Sequence, residues 1–151
     1  MSTDETLNEL LVSLFKNIME IEGRCLVTEE FRDITYNDFH IIEAIGVKEP
    51  KSMSTVAKLM QVTTGTLTKA IDGLTEKGYV IRERSKKDKR VVGVSLLQKG
   101  KDAYAHHEAF HRKMIANIKG QLNEQETPIL IYALAKLIDY FQQEGSTEEE
   151  E

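Results

Sequence analysis

A mainly α-helical chain with one small β-hairpin is predicted by three observations. Residues 52–96, SMSTVAKLMQVTTGTLTKAIDGLTEKGYVIRERSKKDKRVVGVSL, read as two short amphipathic helices joined by a tight turn, then two alternating segments joined by a charged tip. Long segments with broad apolar stripes lie at both ends of the chain. Basic residues concentrate in the middle of an otherwise acidic protein. Two helices, a turn and a hairpin make a winged helix-turn-helix. The apolar ends are the means by which two copies pair as a homodimer.

The elements follow in order. Asp4 or Thr6 caps a first helix running to about Leu26. Leu7, Leu10, Leu11, Leu14, Phe15, Ile18, Met19 and Ile21 form a stripe too wide for a small domain to cover. Thr28–Thr35 is a polar link. Thr35, with Asp38 three residues on, caps a second helix that buries Phe39, Ile41, Ile42 and Ile45 and stops at Gly46. Ser52 caps the third helix, with Val56, Ala57, Leu59 and Met60 inward. Thr63 or Thr64 caps the fourth, with Leu67, Ala70, Ile71 and Leu74 inward and Gly78 just past its end. Residues 79–84 and 92–96 alternate as strands around a polar tip at 85–90. A fifth helix starts at Gln98 and ends at Gly120. The last begins at Asn123, with Glu126 three on, or at Thr127 with Pro128. The domain expectation is a dimerisation region made of 1–34 and 98–143, a winged helix-turn-helix DNA-binding domain at 35–97, and a disordered acidic tail at 144–151.

At 151 residues the chain can bury a core of its own. It has no run of eighteen apolar residues, so no membrane partner is expected. Lys16 is the one basic residue in the first twenty-three, which argues against a secretory signal. One cysteine, Cys25, precludes an internal disulfide framework and fits a reducing cytoplasm. Net charge is −5, yet residues 51–101 carry twelve Lys and Arg against four Asp and Glu, a local +8. The rest of the chain carries −13. Such segregation puts a positive field where the helix-turn-helix and hairpin lie, the electrostatic footprint of a double-stranded DNA partner.

The fourth helix is the candidate for reading a major groove. Thr63, Thr64, Thr66, Thr68 and Lys69 offer hydroxyls, methyls and one cation, and Gly65 permits close backbone approach. Ser52 joins them at the start of the third helix. This face has no arginine or asparagine, so DNA shape carries more of the specificity than bidentate base contacts. Arg90, with Lys87 and Lys89, is the candidate for a minor groove, where narrow A·T tracts attract a guanidinium. Asp88 would repel phosphate if it faced outward and is expected to pair with an arginine. The bland alternatives are a solvated helix start and a solvated hairpin tip.

His107 and His111 are i, i+4 on one helical face beside His106, a spacing metal ligands use, but no further ligand in that stretch completes a set. No metal and no cofactor is assigned. A phosphate loop, nucleophile elbow and ordered carboxylate pair are all absent, so an enzyme is not expected.

Residues 36–100 resemble the MarR family of bacterial winged-helix repressors. The likeness rests on MSTVAKLMQVTTGTLTKAIDGLTEKGYV, the D-x-R of Asp88–Arg90, and Val94, Leu96, Lys99 and Gly100. Leu97 stands where the family usually has threonine. Within that family, LxxLLVSLFKNIMEIE, DITYNDFHIIEAIG, VTTGTLTKAIDGL, RVVGVSLLQKGK and AHHEAFHRKMI are similar to the FabT-type repressors of fatty-acid-synthesis genes. That resemblance implies repression from a palindromic operator, with long-chain acyl-acyl carrier protein as corepressor. Ile18, Ile21, Phe31, Phe39, Ile42, Tyr104 and Phe110 are the candidates to line an acyl channel; each also suits a plain core. The alternative is a MarR-type regulator answering to a different small ligand or to oxidation of Cys25.

Overall fold

The computed structural model describes residues 1–148, with the side chains of 146–148 left aside. Their elements run α1 (Thr3–Leu26), α2 (Tyr36–Ile45), β1 (Lys51–Ser52), α3 (Met53–Met60), α4 (Thr64–Glu76), β2 (Val80–Arg84), β3 (Val92–Leu96), α5 (Gln98–Gln121) and α6 (Glu126–Glu148). This is the mainly helical winged fold that the sequence predicts. No helix among the described residues is long and apolar enough to cross a membrane. The chain divides into two compact units, residues 1–110 and the part from His111 onward.

In the first unit the local signals set the boundaries. Ser2 caps α1: its Oγ accepts from the Glu5 N–H at 3.2 Å while the Glu5 carboxylate accepts from the Ser2 N–H at 2.8 Å. The reciprocal box displaces the expected caps Asp4 and Thr6, which lie inside the first turn, where Thr6 Oγ1 donates back to the Ser2 carbonyl at 3.0 Å. Thr35 and Asp38 form the same box at α2, as predicted. Gly78, at φ +83, ends α4 in a conformation that L side chains rarely adopt. Around it the Tyr79 N–H donates to the Leu74 carbonyl at 2.9 Å and the Gly78 N–H to that of Thr75 at 3.1 Å.

The core joins Phe39, Ile42 and Ile45 of α2 to Val56 of α3, Leu67, Ile71 and Leu74 of α4, and Tyr79, Val80 and Val94 of the hairpin. Leu59, expected inward, is on the outside of α3. The sheet has three antiparallel strands in the order β1-β3-β2, with Val80 opposite Leu96 and Arg84 opposite Val92. β1 is an element that sequence periodicity does not reveal. It is two residues long, and pairs Lys51 with Val94 and Ser52 with Gly93. Lys51 also donates from Nζ to the Ala44 carbonyl at 2.7 Å, satisfying an orphan acceptor near the end of α2. Gly100 opens α5 against the sheet: a Cβ there would lie 2.2 Å from the Tyr79 carbonyl oxygen. Only Glu22 and Leu26 of α1 are buried, and its stripe from Leu7 to Phe15 is exposed.

The second unit holds the remainder of α5, which runs one residue past Gly120, and α6. Of the two expected starts for α6, Asn123 is the one used. Its Oδ1 accepts from the N–H groups of Gln125 and Glu126, and its own N–H donates to Glu126 Oε1. Ile129, Ile131, Tyr132, Ile138 and Phe141 of α6 are exposed. Residues 144–148, expected to be disordered, continue the helix. Gln142, Gln143 and Glu144 are good helix formers, and an acidic composition alone does not stop a turn already begun. The rest of the expected tail, 149–151, lies outside the described residues.

Candidate nucleic-acid interface

The helix-turn-helix is built from α3 and α4. Gln61 turns the chain between them in the left-handed region, φ 56, and the Val62 N–H donates back to the Ala57 carbonyl at 3.0 Å. The expected N-caps hold. Ser52 Oγ accepts from the Thr55 N–H at 3.1 Å, and Thr63 Oγ1 accepts from the Thr66 N–H at 3.2 Å. Leu67, Ile71 and Leu74 anchor α4 in the core. That fixes the opposite face outward: Thr63, Thr64, Gly65, Thr66 and Lys69 are exposed and Thr68 is half-buried.

The hydroxyls on this face are partly committed. Thr63 donates to Thr66 Oγ1 at 2.9 Å, and Thr68 donates to the Thr64 carbonyl at 2.8 Å. Each keeps a free lone pair, so Thr68 faces outward as an acceptor with a methyl rather than as a donor. The N-terminal turn of α4 adds the positive end of the helix dipole, which favours phosphate oxygens.

The wing tip is held by its own side chains. The Ser85 N–H donates to the Val91 carbonyl at 2.9 Å, and Ser85 Oγ accepts from the N–H groups of Lys87 and Asp88. Asp88 pairs with an arginine, as expected, and the arginine is Arg90. Asp88 Oδ1 accepts from Arg90 Nε at 3.1 Å and Oδ2 from Nη2 at 3.3 Å, with the Arg90 N–H adding a third bond. The Arg90 guanidinium, then its backbone N–H, hold the Asp88 carboxyl below the ordinary carboxylate range. The Arg90 side chain is nevertheless 91% exposed, so the pair orients the guanidinium without hiding it. Lys87 and Lys89 flank it, also exposed.

The local +8 is less available than a count of residues implies. Lys51 bonds to the end of α2, and Arg82 of β2 pairs with Asp72 of α4. Lys77 and Lys99 turn to Asp33: Lys77 Nζ donates to its carbonyl and Lys99 Nζ to its carboxylate. The Tyr79 hydroxyl donates to the other carboxylate oxygen at 2.6 Å, with Lys99 Nζ 4.5 Å from the centre of the Tyr79 ring. Burial, then Asp33, drive the Tyr79 ionisation far above its ordinary value. The Tyr79 hydrogen bond is also the main cause that lowers Asp33. This knot braces the start of the wing against the link between α1 and α2. Sequence reading missed it because Asp33 is an unremarkable residue of a polar link and its partners lie far along the chain. What remains exposed is a narrower basic set: Lys58, Lys69, Arg84, Lys86, Lys87, Lys89, Arg90 and Lys101.

The candidate acyl-channel residues do not all gather in one place. Phe31, Phe39 and Ile42 are buried core residues, and Tyr104 and Phe110 pack partly buried against that core. Phe31 meets Phe39 edge-on at 5.9 Å. Ile18 is half-buried and Ile21 exposed.

Comparisons with known proteins bear on the family and the fold. The family model described as "MarR family" matches residues 34–92. The HTH-type transcriptional regulator SarZ of Staphylococcus saprophyticus is 37% identical over 103 residues, covering 66% of this chain and 68% of that protein. The crystal structure of Streptococcus pneumoniae FabT in complex with DNA superposes with a TM-score of 0.87 at 34% identity, covering 92% of this chain and 97% of that one. The structure of a Staphylococcus aureus MepR–DNA complex shares the fold, with a TM-score of 0.74 at 19% identity over 93% of this chain and 99% of that one.

Proposed function

The chain belongs to the MarR family of winged-helix transcriptional regulators, which bind DNA, and from that premise we propose that it is a FabT-type dimeric repressor of fatty-acid-synthesis genes. Its corepressor is a long-chain acyl group carried on acyl carrier protein. The observation that carries this reading is the likeness to the DNA complex of pneumococcal FabT, which extends over 92% of the chain rather than over the winged part alone.

In this reading residues 35–97 bind DNA, and 1–34 with 98–143 pair two protomers. Thr63, Thr64, Gly65, Thr66, Thr68 and Lys69 face the major groove, and Ser52 meets a phosphate at the start of α3. Lys87, Asp88, Lys89 and Arg90 form the tip that enters the flanking minor groove. Pairing is supported by the exposed apolar stripes of α1 and α6, which a lone protomer leaves in water. An acyl chain lies between Ile18 and Ile21 of α1 and the cluster of Phe31, Phe39, Ile42, Tyr104 and Phe110. Those rings are packed together without ligand, so the chain has to part them on entry.

The test is a salt series of operator-binding measurements with acyl carrier protein, acylated and bare. The expected outcome is tighter DNA binding with the long-chain acyl form alone. Coupling is reciprocal, so operator DNA tightens acyl-protein binding by the same factor. Equal affinity with both forms would end the lipid reading and leave DNA binding standing. A second reading, a redox-responsive regulator, draws on the exposed thiol of Cys25 near the end of α1. Peroxide treatment that leaves operator affinity unchanged removes it.

A further inference from the structure

We propose that Asp33 is a positioning residue for DNA recognition: it fixes the angle at which the wing leaves the helix-turn-helix, and discrimination by the wing tip depends on that angle. The inference rests on the reading in which Lys87, Lys89 and Arg90 enter a groove. Asp33 is anchored on both sides, because Phe31 and Ile34 are buried in the core and Thr35 caps α2 just beyond. From that anchored link one residue reaches three elements. Its carbonyl accepts from Lys77 Nζ just past the end of α4. Its Oδ1 accepts from the Tyr79 hydroxyl at 2.6 Å, and its Oδ2 from Lys99 Nζ in the first turn of α5 at 3.3 Å. Lys99 Nζ also reaches the Lys77 carbonyl at 3.5 Å, which closes the ring of contacts.

Tyr79 is the foot on which the wing stands. It is fully buried, and the next residue, Val80, opens β2. Its backbone is held by two bonds: its N–H donates to the Leu74 carbonyl and its carbonyl accepts from the Leu97 N–H, each at 2.9 Å. Those two bonds fix where the strand starts. The Asp33 bond, at the far end of the phenol ring, is a third point off the line of the backbone and fixes the direction in which the strand runs. The tip begins five residues on, about 17 Å away, so a tilt of about 10° at the foot moves it by about 3 Å. A shift of that size takes a guanidinium out of hydrogen-bond reach of its acceptor. With Asp33 gone, a buried phenol hydroxyl has to turn to another partner or stay unsatisfied, and turning moves the foot. Charge alone predicts the opposite sign. Asp33 engages two lysines of the basic region, so removing its carboxylate frees cations and by itself tightens the hold on phosphates.

Fluorescence anisotropy of the full-length protein on two duplexes separates positioning from charge. One duplex is selected by the wild-type chain from a random-sequence pool, and the other is a scrambled copy of it. Asp33→Ala, at a side chain 39% exposed, should keep the wild-type circular dichroism and bind the selected duplex about tenfold more weakly. It should bind the scrambled duplex at least as tightly as wild type. Asp33→Asn, whose amide oxygen still accepts from Tyr79, should keep part of the discrimination. Tyr79→Phe, which removes one hydroxyl and no charge, should lose discrimination too. The double variant Asp33→Ala/Tyr79→Phe should lose no more than Asp33→Ala, because both changes act through one bond. Unchanged or tighter binding of Asp33→Ala to both duplexes, an equal loss on both, or additive losses in the double variant would overturn the role. Arg90→Ala is measured beside them. If it loses discrimination while Asp33→Ala does not, the wing reading stands and the role of Asp33 falls. If Arg90→Ala keeps full discrimination, the wing reading falls and this inference with it.

Discussion

Between Leu26 and Ala103 the large apolar side chains mostly close on one another, from Phe39 to Leu74 to Val94. In α1 and α6 they mostly face outward, with Phe15 at 70% exposure and Phe141 at 66%. The end helices are the more apolar of the two, and yet it is their side chains that stay uncovered. The winged part folds around itself, because short helices and a small sheet of different directions can enclose a core. A long helix with a wide stripe cannot enclose anything alone and must be covered by a second surface. The winged part is therefore self-contained, whereas the long end helices leave apolar surface uncovered.

The strongest way to test this contrast is to remove one phenylalanine from each region. Phe39→Ala should cost about 3–5 kcal/mol in urea unfolding, the usual range for a large core ring. Phe15→Glu should leave the winged core folded and instead shift sedimentation equilibrium toward the protomer. A Phe15→Glu chain that stays paired would break the comparison. Next in size is Arg90→Ala, expected to weaken operator binding by about 1–3 kcal/mol without moving the urea midpoint. Fluorescence anisotropy at fixed salt measures it. Thr63→Ala should cost about 1 kcal/mol of stability through its lost cap, and should weaken DNA binding as well. Stability loss with unchanged affinity would make the threonine a cap and nothing more.

The smallest effect is in tyrosine titration. Burial, then the Glu22 hydrogen bond, push Tyr36 up to about 12, and Tyr79 is pushed further by burial and Asp33. A phenol whose folded pKa is raised holds its proton longer than in the unfolded chain. Its contribution is complete below about pH 10 and is lost as pH rises through the folded value. Tyrosinate absorbance should therefore show a late phase near the alkaline end, diminished in Tyr36→Phe and again in Tyr79→Phe. Simple ionisation of both near pH 10 would mean the two anchoring bonds do not persist in solution.

Much of the fold was legible because its signals are local. Thr35, Ser52, Thr63 and Asn123 cap where their side-chain chemistry says they should. The strands show in their alternation, and α4's outward face follows from Leu67, Ile71 and Leu74. What was hidden depends on distance along the chain. β1 is too short to carry a period, and the turn of Lys77 and Lys99 toward Asp33 follows from no spacing rule. The same holds for the buried pair of Glu22 and His107, 3.0 Å apart in space and on different helices. In the interface, residue types were readable and hydroxyl directions were not: Thr68 spends its proton on its own helix, a matter of rotamer rather than of sequence.

The close approach at Gly100 sets how motion travels through the first unit. The Leu97 N–H donates to the Tyr79 carbonyl at 2.9 Å, and the same oxygen leaves no room for a side chain at position 100. Tyr79 begins the wing and Gly100 lies in the first turn of α5, so the two are seated directly on each other. This joint has no slack. A tilt of the first turns of α5 is expected to pass to the base of β2 as displacement, because backbone meets backbone there. Gly100→Ala should push α5 off the Tyr79 carbonyl, at a cost of about 1–3 kcal/mol in urea unfolding. A regulator built on such a joint can move its wing by leaning on a helix, with no hinge of its own.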